Sequence, residues 1–107
     1  MTENANQEIE TLLADLWQRH LPTLHRRLAI LERAATAAST GVLAEAVCEE
    51  ALSIAHKLSG NLGMFGYQQA GDIASEIEQV FRAPTPKKLI QLTALTQKLR
   101  QALAARL

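Results

Sequence analysis

The sequence has little with which to cross-link itself: among its 107 residues there is one cysteine, Cys48. An internal disulfide and a cysteine-based zinc site are therefore both excluded. Aromatic residues make up only 4% of the chain, which argues against a sheet protein, since strands draw on aromatic and β-branched side chains. Charge of one sign is also missing, because 11 Lys and Arg balance 11 Asp and Glu. A nucleic-acid binder normally carries a basic surplus on one face, and so does a polybasic membrane-surface protein, so neither is expected. No apolar run approaches the length of a membrane span. The opening Met1-Thr2-Glu3-Asn4-Ala5-Asn6-Gln7 has no basic start and no apolar stretch, so no signal peptide is expected. These absences lead to the expectation of a soluble, cytoplasmic protein with one domain over residues 1–107, long enough to bury about two-thirds of its unfolded surface.

What the sequence does have is Ala and Leu at helical spacing almost throughout. Ile9, Leu12, Leu13, Leu16 and Trp17 form a first stripe that ends near Pro22. Leu24, Leu28 and Leu31 continue it in a second helix, with Pro22 in the first turn, where its missing N–H is harmless. Ala38-Ser39-Thr40-Gly41 breaks the pattern, and Ser39 or Thr40 is the expected N-cap of the next helix. That helix runs to about Gly60 or Leu62, and Asn61 to Gly66 reads as a frayed end or connector. A further helix places Ala70, Ile73, Ala74, Ile77 and Phe81 on one side. Ala83-Pro84-Thr85-Pro86 stops it, and Thr85 with Pro86 makes an N-cap and N1 pair for a last helix carrying Leu89, Leu92, Leu95, Leu99 and Leu103. The expected architecture is all-α, an antiparallel four-helix bundle with a short additional N-terminal helix.

One side chain on the middle helix points away from the core. At about 100° per residue, Val47, Ile54 and Leu58 fall opposite His56, and Ala51 lies about 40° from that side. Glu45, Glu49, Gly60 and Gly63 cluster within about 40° of His56, Gly63 only if the helix reaches it. Leu52, Ser53 and Ser59 lie on the flanks. The imidazole thus projects from the solvated face, with small residues on the turn that follows. An exposed histidine on a surface helix is commonly incidental. Here Gly60 costs about 1 kcal/mol relative to Ala within a helix, which is more readily accepted where space is needed.

The run Ala55-His56-Lys57-Leu58-Ser59-Gly60-Asn61-Leu62-Gly63-Met64-Phe65-Gly66 resembles the signature of histidine-containing phosphotransfer domains. In that family a His is followed by any residue, an aliphatic, usually Lys, and then Gly, with a second Gly six residues further on. His56, Leu58, Gly60 and Gly66 match, Phe65 precedes the second glycine as it does in the family, and the order of helices is similar over most of the chain. The resemblance implies a phosphorelay carrier. His56 would accept a phosphoryl group from the aspartyl-phosphate of a receiver domain, or from a kinase, and pass it to another receiver. An imidazole with an unperturbed pKa of about 6.5 is a good nucleophile near neutrality. The family attacks through Nε2, which requires the proton on Nδ1. The resemblance also implies no cofactor and no kinase activity of the chain's own, since the receiver supplies the acidic pocket and Mg²⁺.

Two further assignments come from the family. Glu78 lies 22 residues beyond His56, where the chemotaxis kinases carry a glutamate that bonds the imidazole Nδ1. The competing reading is a solvated charge paired with Arg82, four residues on. The departure is Ser59, which stands where most members have a Lys that attracts phosphate oxygens. Lys57, about 100° round the helix, and Arg82 are the candidate substitutes. The expected docking surface for a response-regulator receiver or hybrid histidine kinase is the patch of Leu52, Lys57, Ser59, Gly60 and Gly63 around His56.

Other candidates are weaker. His20 and His25 share no helical face, so a metal pair is not expected. Cys48 reads as a small packing residue. Gly60, Gly63 and Gly66 follow no strand and precede no Gly-Lys-Ser/Thr, which argues against a phosphate loop. Trp17, Phe65 and Phe81 read as core. A non-catalytic module that binds a receiver or kinase without phosphotransfer is the alternative, in line with the missing Lys. A dimerising kinase hairpin is disfavoured because Lys57, not an acidic residue, follows His56. A monomer is expected, an apolar helix face being the route to a homodimer.

Overall fold

The computed structural model describes residues 2–107, with side chains from residue 5 onward. Its helices are α1 (Thr2–Ser39), α2 (Glu45–Met64), α3 (Gln68–Arg82), α4 (Pro86–Leu89) and α5 (Leu92–Leu103), followed by a 3₁₀ turn at Ala104–Arg106. No strand occurs among the described residues.

The N-terminal half corrects the sequence expectation. The two anticipated helices are one, and Pro22 lies inside it, so there is no separate short N-terminal helix. An interior proline removes one backbone donor and crowds the carbonyl four residues back, a local cost of about 3 kcal/mol. Pro22 faces solvent, while Trp17, Leu24, Leu28 and Leu31 are buried on either side of it along the same rod. Tertiary packing on both sides of the proline outweighs the local penalty. The first apolar stripe is also corrected: Trp17 is buried, but Ile9, Leu12 and Leu16 are exposed. At 1.5 Å per residue α1 spans about 57 Å and α2 about 30 Å, and the molecule measures 56 × 21 × 21 Å. The first turns of α1 therefore run past the end of the bundle.

Ser39 and Thr40 do not cap α2. Their hydroxyls donate back to the carbonyls of Thr36 and Ala37, at 2.7 and 2.8 Å, and so finish α1. Gly41, at φ +80°, completes that end. Its N–H bonds to the Ala38 carbonyl and the Val42 N–H to the Ala37 carbonyl, the paired closure of a Schellman motif. α2 starts after Ala44 with no side-chain cap. It also outlasts the expected end at Gly60–Leu62, continuing to Met64 and closing in the same way. Gly66 at φ +86° donates to the Gly63 carbonyl, and the Tyr67 N–H to the Leu62 carbonyl. The Thr85–Pro86 start is observed as expected, with the Thr85 hydroxyl accepting from the Lys88 N–H at 3.2 Å. The last helix is interrupted, however, at Ile90–Gln91, between α4 and α5.

One apolar core joins α1, α2, α3 and α5, with Leu24, Leu31, Leu58, Leu62, Ile77, Leu92 and Leu99 fully enclosed. Burial of each such side chain stabilises the fold by roughly 1.5–3 kcal/mol. Contacts set the directions of two helix pairs. Cys48 meets Phe81, His56 meets Glu78, and the Ser59–Gly63 turn meets Gly71, so α2 and α3 run antiparallel. Trp17 Nε1 donates to the Arg106 carbonyl at 3.0 Å and Arg100 pairs with Glu32, so α5 and its 3₁₀ turn run antiparallel to α1. At the bundle end the Trp17 ring meets Phe65 and Tyr67 edge-on, at centroid distances of 5.1 and 4.7 Å. This aromatic cluster anchors the turn that follows the histidine helix.

Candidate functional site

Midway along α2, Ala51, Ala55, Leu58 and Leu62 are buried and fix the rotation of the helix. His56, on the other side, keeps 70% of its side chain exposed. Ile54 and Val47, assigned by periodicity to the opposite face, are respectively half-buried and exposed, because the core lies nearer Ala51, Ala55 and Leu58 than the exact antipode of His56.

The imidazole is held on one side only. Its Nδ1 lies 3.1 Å from Glu78 Oε2 on α3. Glu78 is the one buried charged residue among those described, its side chain only 8% exposed. Arg82, one turn further along α3, donates to the same oxygen at 2.5 Å from a side chain that is 56% exposed. Glu78 thus pairs with both the imidazole and Arg82, but as a buried carboxylate and not as the solvated charge of the competing reading. The Arg82 hydrogen bond is the main influence holding the Glu78 carboxyl below the usual glutamate range, helped by the bond to His56 and opposed by burial. A carboxylate accepts from Nδ1–H, so with this partner the ring's lone pair sits on Nε2.

The pairing depends on how closely α3 approaches α2. Gly71, buried on α3, lies where the two helices meet, and a Cβ there would sit in van der Waals contact with α2, 3.4 Å from the Ser59 carbonyl oxygen and 3.5 Å from the Gly63 nitrogen. Sequence reasoning missed Gly71. Its signal was a lone glycine inside an otherwise regular amphipathic helix, which has no meaning until its neighbour is known.

The remaining candidates are placed as follows. Gly60 and Gly63 both lie within α2, exposed, and a Cβ added at either would meet nothing within 4 Å. No contact within the chain requires their smallness. Ser59 is turned inward on its own helix, its hydroxyl donating to the His56 carbonyl at 2.8 Å. Its one proton is thereby used, and the side chain offers the ring no donor. Lys57 is exposed, and Leu52 is half-buried against the core. Cys48 packs at the α2–α3 interface, its thiol within 3.4 Å of the Phe81 carbonyl. Burial first, then Glu49 and Glu45, raise its pKa above the ordinary thiol value, as suits a packing residue. His56, Glu78 and Arg82 are therefore brought together, the two glycines clear the surface beside them, and Lys57 and Ser59 stay apart from the cluster.

Comparison with protein families matches residues 15–106 to the Hpt domain. The chain belongs to the Hpt domain family. Hpt domains carry phosphoryl groups in two-component signalling and interact there with receiver domains and kinases. No curated protein and no solved structure matches this Hpt chain. No helix among the described residues is long and apolar enough to cross a membrane. The match begins at Asp15, so the exposed N-terminal turns of α1 lie outside it.

Proposed function

We propose that this Hpt chain is a phosphorelay intermediate in which His56 is the phosphoacceptor. It takes the phosphoryl group from a receiver aspartyl-phosphate, or from a kinase, and yields it to a second receiver. The observation that carries this reading is the one-sided hold on His56: Nδ1 against a buried carboxylate, and the rest of the ring in solvent. In the forward step the Nε2 lone pair attacks phosphorus and a P–N bond forms. The P–O bond to the donor carboxyl breaks, and its electron pair leaves on that carboxylate. The ring keeps its Nδ1 proton, which stays hydrogen-bonded to Glu78 across the 3.1 Å contact, and gains one positive charge. Transfer of this kind needs positioning and charge neutralisation more than covalent machinery.

The chain brings no cofactor; the receiver contributes its acidic pocket and Mg²⁺. Docking uses the patch of Leu52, Lys57, Ser59, Gly60 and Gly63, where the two glycines let a partner backbone come close to the imidazole. The protein works in the cytoplasm as a monomer and has no kinase activity of its own. Lys57 is the nearest free cation in sequence for phosphate oxygens, since the Ser59 hydroxyl is engaged by its own helix.

The test is label transfer from a panel of phosphorylated receivers. The expected outcome is acid-labile, alkali-stable label on the parent chain and none on His56→Gln. Receiver binding without label, unchanged in His56→Ala, selects instead a non-catalytic module.

A further inference from the structure

Glu78 poses a problem for the nucleophile it orients. A carboxylate against an imidazole favours the doubly protonated ring, and that form has no lone pair on Nε2. A glutamate this buried also tends to take up a proton itself, and then it no longer accepts reliably from Nδ1–H. An orienting carboxylate therefore risks quenching the nucleophile or losing its own charge. In this chain a guanidinium closes on the very oxygen that faces the imidazole, Arg82 Nη2 and His56 Nδ1 both meeting Glu78 Oε2.

We infer that Arg82 is a positioning residue that cancels the charge of Glu78, so that the carboxylate fixes the Nδ1–H tautomer of His56 without drawing a second proton onto Nε2. The inference rests on the reading of His56 as nucleophile and adds how its reactive form is maintained. Local structure favours the arrangement. Arg82 is four residues from Glu78 on the same helix, so the pair forms without long-range ordering. It sits in the last turn of α3, where the carbonyl end of the helix favours a cation. Guanidinium keeps its charge at any pH at which the protein is folded, and its remaining N–H groups stay hydrated on a side chain that is more than half exposed.

Other charges near the ring do not duplicate this role. On its own helix His56 is flanked by Lys57, the next residue, and by Glu49, two turns back, both exposed. From α3 it is faced by Glu78 and Arg82. The inward side of α2, toward the rest of the bundle, is lined by Ala51, Ala55, Leu58 and Leu62. Of the two nearby cations only Arg82 touches the carboxylate.

The experiment is an NMR titration of the His56 ring in the full unphosphorylated chain, comparing the parent with Arg82→Ala, Arg82→Gln and Arg82→Lys. Far-UV circular dichroism establishes that each is folded. Loss of the guanidinium from the oxygen that faces the ring should move the His56 midpoint upward in the Ala and Gln variants. The Lys variant should restore at least half of that difference. With labelled receiver, the Ala variant should accept phosphate more slowly below and near neutrality and approach the parent rate at higher pH. Midpoints of the Ala and Gln variants that coincide with the parent, or fall below it, overturn the inference. So does an upward shift that Lys fails to restore, because charge is then not the agent. The titration uses no phosphoryl donor, so its result is independent of whether any receiver phosphorylates His56.

Discussion

At the scale of single residues, the site is defined by what surrounds His56 and what is kept away from it. Gly60 and Gly63 leave surface open that the fold itself does not need, since nothing lies within 4 Å of a Cβ at either position. Replacing each by Ala should therefore stabilise the protein, by about 0.4–1 kcal/mol measured by urea denaturation. The same substitutions should weaken receiver docking and slow transfer. Gain in both stability and transfer would contradict the docking role of the face. Glu78→Gln removes the carboxylate but leaves the amide of similar shape. It should keep the fold and lower the rate of label uptake at least ten-fold, with the ring nitrogens of His56 losing their tautomer preference in ¹⁵N spectra. Acid sensitivity follows from the same groups. Arg82 holds Glu78, and Arg100 holds Glu32, below the ordinary glutamate value of about 4.3. Stability from these pairs is complete above that value and is lost as pH falls through the lower folded pKa values. His20 acts earlier in an acid titration. Burial first and Arg27 second favour its neutral form, and its Nε2 is enclosed without a partner. Its contribution is complete above about pH 6.5 and is lost as pH falls through the lower folded value. Urea midpoints should accordingly drop as pH falls below about 6.5, and drop less in His20→Gln.

At the scale of elements, the helix ends and one proline decide what the sequence made legible. The Thr85–Pro86 start could be read because both residues act locally: an extended cap whose oxygen accepts from the chain ahead, and a ring already set for a helix. Ser39 and Thr40 could not, because a hydroxyl at a break can close the helix behind it as well as open the one ahead. Pro22 misled for a related reason. Its local penalty is visible in sequence, while the burial of Trp17 and Leu24 that outweighs it is not. Pro22→Ala should thus raise stability by about 1–3 kcal/mol, read from the denaturation midpoint, with no change in helix content beyond that residue's own bond. Gly66 carries the opposite expectation. At φ +86° an Ala is strained even though the space is free, so Gly66→Ala should destabilise by about 1 kcal/mol. Within the site, periodicity places His56 on an open face, while its role and that of Glu78 come from the resemblance to phosphotransfer domains. That Glu78 meets His56 depends on the register between α2 and α3, which no spacing along one helix contains.

For the whole molecule, the bundle acts as a rigid mount. Phe81, Ile77 and Leu58 lock α2 against α3, and Leu99 and Leu103 close the other side. Truncating Leu99 to Ala should cost 2–5 kcal/mol and loosen the site only through the fold. The mount holds one nitrogen of His56 against a buried charge and presents the other to solvent, and that division is the core of the account. The most direct test is to phosphorylate the chain from a labelled receiver and locate phosphorus by combined ³¹P and ¹⁵N NMR. The account predicts a single phosphoryl group bonded to Nε2 of His56, with the proton still on Nδ1. Phosphorus on Nδ1, or on any residue other than His56, would contradict it.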